Sequence, residues 1–531
     1  MRETFRTSMG DLHTWAGVII SAMLFAIFWM GTLSVFDAEI DQWMKPETRI
    51  SEPSSFSYDA LISKSAEVAD GDVKGLYMMA PSFRTPVASV YYETYNEKYG
   101  SIYYDADADE ALDVTKSEAG TGFIFPFHFS FHVRWASLGY WAVGFCGMAM
   151  MVLLTSGIFI HRKIIADFFV FRPQKNARRS VLDMHNITGL IALPFHFLIS
   201  LSGILIFFSM YLPLGVSVAT DGEPDAFYEE LYPEIEREHS GTPRPLASVD
   251  DMVAQAETAW SAALGTPSGH DRVIIDNVGD AAATIQVVDY FPSRRVESSR
   301  FSMTFDGATG AVLDSYEAPT VLRSMNWLSG FHFMQFDHWP LRWLFFIGGL
   351  SGCVMIATGL MFWIQARIKK GALDPLKVRA VRGMSIGSVT GIIAATLAFF
   401  AVNRLLPKEA ALFGMDRAAL EMATFFIIWV ASFGHAALRG KAAWKDQTAV
   451  IAALAFLAVG LNWLTTGDHL IATAQHGLWS VFGMDMVLIF SAITAGASVV
   501  RLQKTEHFEA TTPSRRRSRT AITAAEATPA E

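Results

Sequence analysis

Between Met184 and Leu212 the chain reads MHNITGLIALPFHFLISLSGILIFFSMYL. A run of roughly 25 mostly apolar residues is long enough, as a helix, to cross about 30 Å of hydrocarbon. Backbone groups in lipid must be satisfied within the segment, so a run of this kind has few folds open to it besides a spanning helix. Seven more stretches pass the same test. The expected spans are 14–36, 138–161, 186–212, 342–365, 385–402, 418–438, 448–466 and 478–500. A chain of 531 residues that is 51% hydrophobic and 13% aromatic is too apolar for an ordinary soluble enzyme, which agrees. The first span follows Arg2 and Arg6, as in a signal peptide. Its apolar run is longer than a signal core, and SVFDAEID offers no A-x-A cleavage site, so it reads as an uncleaved anchor.

Lysine and arginine set the orientation. Arg162, Lys163, Arg172, Lys175, Arg178 and Arg179 fill one loop, and Arg367, Lys369, Lys370, Lys377, Arg379 and Arg382 another. Arg439, Lys441 and Lys445 mark a third, and Arg515, Arg516, Arg517 and Arg519 the tail. With eight spans all four groups fall on one side, and the positive-inside rule makes that side, with both termini, cytoplasmic. Net charge is nevertheless −10, so acidic residues concentrate in two long segments on the opposite, extracytoplasmic side. The tail TPSRRRSRT reads as a topology determinant beside anionic lipid, with no nucleic acid as partner. Cys146 and Cys353, the two cysteines, both fall in spans. The external segments therefore hold no disulfide, and no C-x-x-C-H or C-x-x-C motif offers a c-type haem, iron–sulfur or zinc site.

The expected order is a cytoplasmic N-terminus with the first span (1–36), an external α+β domain (37–125), a second span (126–165), a basic loop (166–184) and a third span (185–212). A second external α+β domain (213–328), a fourth span (329–366), a second basic loop (367–384), a four-helix membrane extension (385–500) and a disordered basic tail (501–531) follow. The α+β reading rests on helix-like SYDALISKSAEVA and DDMVAQAETAWSAAL, each followed by alternating strand-like runs. The halves repeat. LHTWAGVIISAMLFAIFWMGTLSVF parallels MHNITGLIALPFHFLISLSGILIFF, placing His13 opposite His185. FPFHFSFHVRWASLGYW parallels SGFHFMQFDHWPLRWLF, placing His128 opposite His332 and Trp135 opposite Trp339. Both copies enter from one side, which makes a parallel repeat about an axis along the membrane normal.

The H-x-x-x-G helix start, an external segment closing on DGATGAVLD and a T-G-L-x-x-W-x-x-x-R exit resemble the PepSY-associated transmembrane proteins over roughly residues 8–370. The resemblance implies an α-helical polytopic membrane protein of about eight spans with two extracytoplasmic PepSY-like α+β domains. It further implies kinship with inner-membrane ferric-siderophore reductases that carry b-type haem. Beyond residue 370 the pattern has no match.

A bis-histidine haem needs two imidazoles at one depth on facing helices. His13 and His185 are the expected inner pair, with His161 at the same level; His128 and His332 are the outer pair, with His132 one turn from His128 on the same face and His338 nearby. On a continuous helix His196 returns within about 20° of the face of His185 but about 16 Å away. Its open readings are pairing by tilt, a methionine partner such as Met150, support of another ligand, or a plain hydrogen bond. FIFPFHFSFH also reads as an aromatic belt with no metal at all. His239, His270 and His507 read as surface residues, and His435, His469 and His476 are unassigned.

By the resemblance, two b-type haems form an electron wire that reduces a ferric siderophore and releases Fe²⁺, since hard hydroxamate and catecholate oxygens favour the ferric ion. Tyr91, Tyr92, Tyr95, Tyr99, Tyr103 and Tyr104 offer such a ligand aromatic contacts, or pack a strand. No dinucleotide, P-loop or flavin motif is present, so the electron donor is separate, a cytoplasmic reductase or a quinol. Two other classes stay open: a non-enzymatic membrane module binding peptides or regulating envelope proteins, and a transporter using the last four spans, where His435, Asp468 and Asp485 are the polar candidates.

Overall fold

The computed structural model describes residues 2–69, 73–161, 177–223, 229, 231, 233–291, 295–370 and 374–511. Arg162, Lys163, Arg172, Lys175, the arginines of the tail and the side chain of His507 lie outside them. Among the described residues seven helices are long and apolar enough to cross a membrane, and a bent pair makes an eighth. The chain divides into two compact units, residues 1–372 with 408–410, and the remainder.

In the first unit α1 (Arg2–Ser34) and α5 (Leu138–Ile160) are the first two spans. The stretch from Met184 to Leu212 is not the single helix expected. Helix α6 (Ala177–Ile191) stops, and α7 (Leu193–Ile206) leaves at 64° to it. Pro194 lies in the first turn of α7, where its missing N–H costs nothing, but its ring excludes the carbonyl of the preceding turn and so forbids a straight continuation. The shared face expected for His185 and His196 is lost with it. The fourth span is α10 (Trp339–Lys370), preceded by α9 (Thr320–Phe333).

The two segments expected as separate domains build one layer. Strands β1 (Val73–Met79), β2 (Ala88–Thr94), β3 (Tyr99–Asp105) and β4 (Glu110–Leu112) join β5 (Arg272–Asp276), β6 (Thr284–Val288), β7 (Phe301–Asp306) and β8 (Val312–Glu317). All pairings are antiparallel, in the order β4-β3-β2-β1-β5-β6-β7-β8, with Leu76 opposite Ile275 at the central seam. Alternation puts Leu76, Val90, Ile102, Val273, Val287 and Phe305 on one face, beneath Leu61 of α3 (Tyr58–Val68) and Trp260 of α8 (Val249–Leu264). These two helices cap each other: Asp250 accepts from Tyr58 N at 2.7 Å and the Ser57 hydroxyl at 2.6 Å, while Asp59 accepts from Val249 N and the Ser248 hydroxyl, both at 2.8 Å.

The second unit holds α11 (Pro375–Ile386), a π-turn over Gly387–Gly391, α12 (Ile392–Leu405), α13 (Arg417–Arg439), α14 (Ala442–Thr466) and α15 (Trp479–Thr511). Polar groups are buried here beyond those expected: Arg417 pairs with Glu421 at 2.6 Å, Asn403 donates to Glu421 at 2.8 Å, and Asn462 donates to buried Asp485 at 3.2 Å. His435 stands 3.7 Å from Asp446, and His469 caps the short helix Leu470–Gln475.

Candidate functional site

Helices α1, α5, α6, α7, α9 and α10, with the short α4 (Phe125–Ser130), bring the histidines together in two pairs. The rings of His13 and His185 have centroids 6.3 Å apart, and those of His128 and His332 6.1 Å apart. An imidazole nitrogen lies about 2 Å from a bound metal, with the ring centre about 1 Å behind it, so two rings clasping one ion have centroids roughly 6 Å apart.

Each ring is held from behind in the same way. His13 Nδ1 donates to the Leu153 carbonyl at 3.0 Å and lies against Gly157; His185 Nδ1 donates to the Met355 carbonyl at 2.7 Å and lies against Gly359. His128 Nδ1 donates to the Ile27 carbonyl at 2.8 Å and lies against Gly31. His332 Nδ1 is 2.9 Å from the Ser202 hydroxyl, with the Ile199 carbonyl in reach, and lies against Gly203. In all four cases the carbonyl stands four residues before the glycine. A helix carbonyl bends toward a donor only where no side chain covers the next turn, which is what glycine provides. Fixing Nδ1–H on a carbonyl sets the tautomer and leaves Nε2 as the basic nitrogen. Among the described residues nothing hydrogen-bonds to Nε2 of these four rings.

His13 and His185 open into a cavity of about 670 Å³, lined mainly by apolar residues such as Val18, Leu24, Leu154 and Ile356. His161, at the end of α5, lines it too, and so does Met150, whereas His196 is not among the lining residues. His132 leaves the outer pair. Helix α4 ends with Phe131 in the left-handed region, and His132, at φ 57°, turns away, stacks on Phe123 at 4.8 Å and bonds to the Phe123 carbonyl at 2.8 Å. The expected shared face with His128 therefore fails at the helix end. His338 accepts from Leu341 N at 3.2 Å at the start of α10. His196 is fully buried beside Phe28, with Nε2 at 3.3 Å from both the Gly348 carbonyl and the Ser351 hydroxyl.

Between the outer pair and the sheet lies an ion cluster that the sequence reading missed. Arg342 at the start of α10 is fully buried and grips Glu39 of α2 (Asp37–Met44) with both terminal nitrogens, at 2.9 and 3.0 Å. Arg84, on the β1–β2 connection, reaches Glu39 at 2.7 Å and Asp37 at 2.8 Å, and also bonds Gln335. Burial opposes ionisation of Glu39, but the Arg84 and Arg342 guanidiniums prevail and hold its carboxyl down to about 2. An arginine beside an apolar run, in PLRWLFF, was the available signal.

Residues 11–366 match the family model described as the PepSY-associated TM region. The chain belongs to that family. Both histidine pairs and the ion cluster fall within the PepSY-associated TM region, whereas the second unit lies beyond it. An uncharacterized protein of Pseudomonas aeruginosa, PA4219, is 26% identical over 372 residues, covering 68% of this chain and 88% of its own.

Proposed function

We propose that this PepSY-associated TM protein holds two b-type haems and passes electrons across a bacterial inner membrane to reduce a ferric siderophore, releasing Fe²⁺ in the periplasm. The observation that carries this reading is the double clasp: two imidazole pairs at metal-bridging spacing, each Nδ1 bound from behind and each Nε2 open. The donor set fits the group, since bis-imidazole ligation is a b-type haem arrangement and the inner cavity has the size and apolar lining for a cofactor. The haem would supply reversible one-electron chemistry at iron. The chain's own part is to fix the rings, exclude water and keep two sites apart in depth. Along α1, His13 is separated by roughly 20 Å from Ile27, which holds His128.

On this reading the His13–His185 site takes electrons from a separate cytoplasmic reductase or quinol, and the His128–His332 site delivers them beneath the eight-stranded sheet. The termini are cytoplasmic. The two halves of the sheet are PepSY-like units, and the four spans form a parallel repeat, a reading supported by the carbonyl–glycine–histidine arrangement that recurs in both halves.

The test is an absorption spectrum of detergent-purified protein, oxidised and dithionite-reduced, with pyridine-haemochrome quantification. Wild type should give a low-spin b-type spectrum near two haems per chain, and His185→Ala and His332→Ala should each remove about one. Anaerobic addition of a ferric trihydroxamate should reoxidise the reduced protein with a stoichiometric rise in chelatable Fe²⁺. A colourless protein expressed with ample haem would sink the reading.

A further inference from the structure

Four residues beyond Gly157 stands His161, and four beyond Gly359 stands Trp363. That is one helical turn, so each residue is neighbour to the glycine that seats a histidine of the inner pair. Both line the inner cavity, and both bury a ring nitrogen with no partner: Nδ1 of His161 and the Nε1–H of Trp363, a side chain only 8% exposed. An indole N–H is a donor and nothing else, and burying one without an acceptor is unfavourable. Two arginines share the cavity. The Arg178 guanidinium lies over Phe362 at 5.2 Å, and that of Arg367 over Trp15 at 5.5 Å and Trp363 at 5.6 Å. Among the described residues neither arginine is in an ion pair. Asp11 is the one carboxylate among the lining residues, against two guanidiniums.

We infer that this end of the cavity binds the two carboxylates of a tetrapyrrole, with Arg178 and Arg367 supplying charge and Trp363 and His161 supplying directed ring nitrogens. The inference rests on the haem reading and deepens it: it fixes which edge of the macrocycle faces the α1 N-terminal end of the bundle, and it assigns His161 to the edge, not to the iron. A neutral quinol would satisfy the ring nitrogens but leave both guanidiniums without an anion, so dicarboxylate chemistry fits better.

The test uses full-length protein and two probes, hemin and its dimethyl ester, in which the carboxylates are blocked. Off-rates to apomyoglobin and midpoint potentials are measured for wild type, Arg178→Gln, Arg367→Gln, Arg178→Lys, Trp363→Phe and His161→Ala. The outer site remains loaded in every variant and reports folding. In wild type the inner-site dimethyl ester should leave at least tenfold faster than hemin. That difference should shrink below threefold in the double variant Arg178→Gln/Arg367→Gln, and Arg178→Lys should restore most of it. Each glutamine substitution should shift the inner potential negative, because a positive charge favours the ferrous form, and His161→Ala should keep the low-spin spectrum. Equal off-rates for acid and ester in wild type would overturn the inference, as would loss of the low-spin signal in His161→Ala. If wild type takes up no hemin at all, the haem reading itself fails, an outcome distinct from either.

Discussion

The imidazole of His128 fills the space that a Cβ on Gly31 would need, its nearest ring atom being 2.5 Å from where that carbon would stand. The corresponding distances are 2.9 Å for His332 at Gly203, 3.1 Å for His185 at Gly359 and 3.4 Å for His13 at Gly157. Alanine substitutions should therefore be graded. If the pairs hold haem as proposed, Gly31→Ala should displace His128 and lower occupancy of the outer site most, whereas Gly157→Ala should leave the inner site within about twofold of wild-type occupancy. Haem content per chain across the four variants checks the order; equal losses would separate cofactor binding from these seats.

The Arg84–Glu39–Arg342 cluster ties β1–β2, α2 and α10 together. Glu39→Gln leaves the buried Arg342 guanidinium facing a neutral amide while Arg84 keeps Asp37, and breaking a buried pair in this way costs about 3–5 kcal/mol. Thermal unfolding followed by tryptophan fluorescence should show a large drop in Tm, with Arg342→Met less damaging than Glu39→Gln because Glu39 keeps its ion pair with Arg84 when Arg342 is removed.

The same cluster gives an acid limit. The Glu39 carboxyl is held near 2, below its ordinary 4.5, so its stabilisation is complete above pH 4.5 and lost as pH falls through 2. Stability measured over that window should decline in wild type and decline less steeply in Glu39→Gln, where the other lowered carboxyls, Asp280, Asp306 and Glu257, still contribute.

Asp289 has the opposite sign. Burial raises its carboxyl to about 7 although Arg295 opposes this, so what it contributes is present below 3.8 and lost as pH rises through 7. Asp289 also accepts from Phe301 N at 2.7 Å at the head of β7. Asp289→Asn should flatten the pH dependence of unfolding between 4 and 7, and hydrogen exchange at the β7 amides reports it locally.

Asp59 and Asp250 each cap the other's helix, which gives a modest prediction: alanine at either costs about 0.5–2 kcal/mol. Urea midpoints should fall by similar amounts for the two, and the helix that loses its acceptor is the one on the partner segment.

Apolar run length made the spans legible, and the paired positions of His13 with His185 and His128 with His332 followed from matching the two halves. What escaped was set by local backbone. A single proline at 194 bent the run that the helical wheel treated as straight, and the left-handed residue at Phe131 turned His132 out of line. The glycine seats and the buried Arg84–Glu39–Arg342 cluster join residues far apart in sequence, and no periodicity in one segment marks such partners. The union of the two sheet halves depends on one strand pairing, β1 with β5, between segments about 200 residues apart, and alternation within a strand says nothing about which edge it joins.

That seam has a consequence for biogenesis. When β1 to β4 leave the ribosome, the edge that will meet Val273 and Ile275 stays open until the second and third spans and then β5 have been synthesised. Throughout that interval the nascent chain displays an unpaired edge at Gly75–Met79, the kind of surface that recruits foreign strands. A ribosome stall between residues 112 and 272 should therefore produce aggregates where a stall after residue 317 would not.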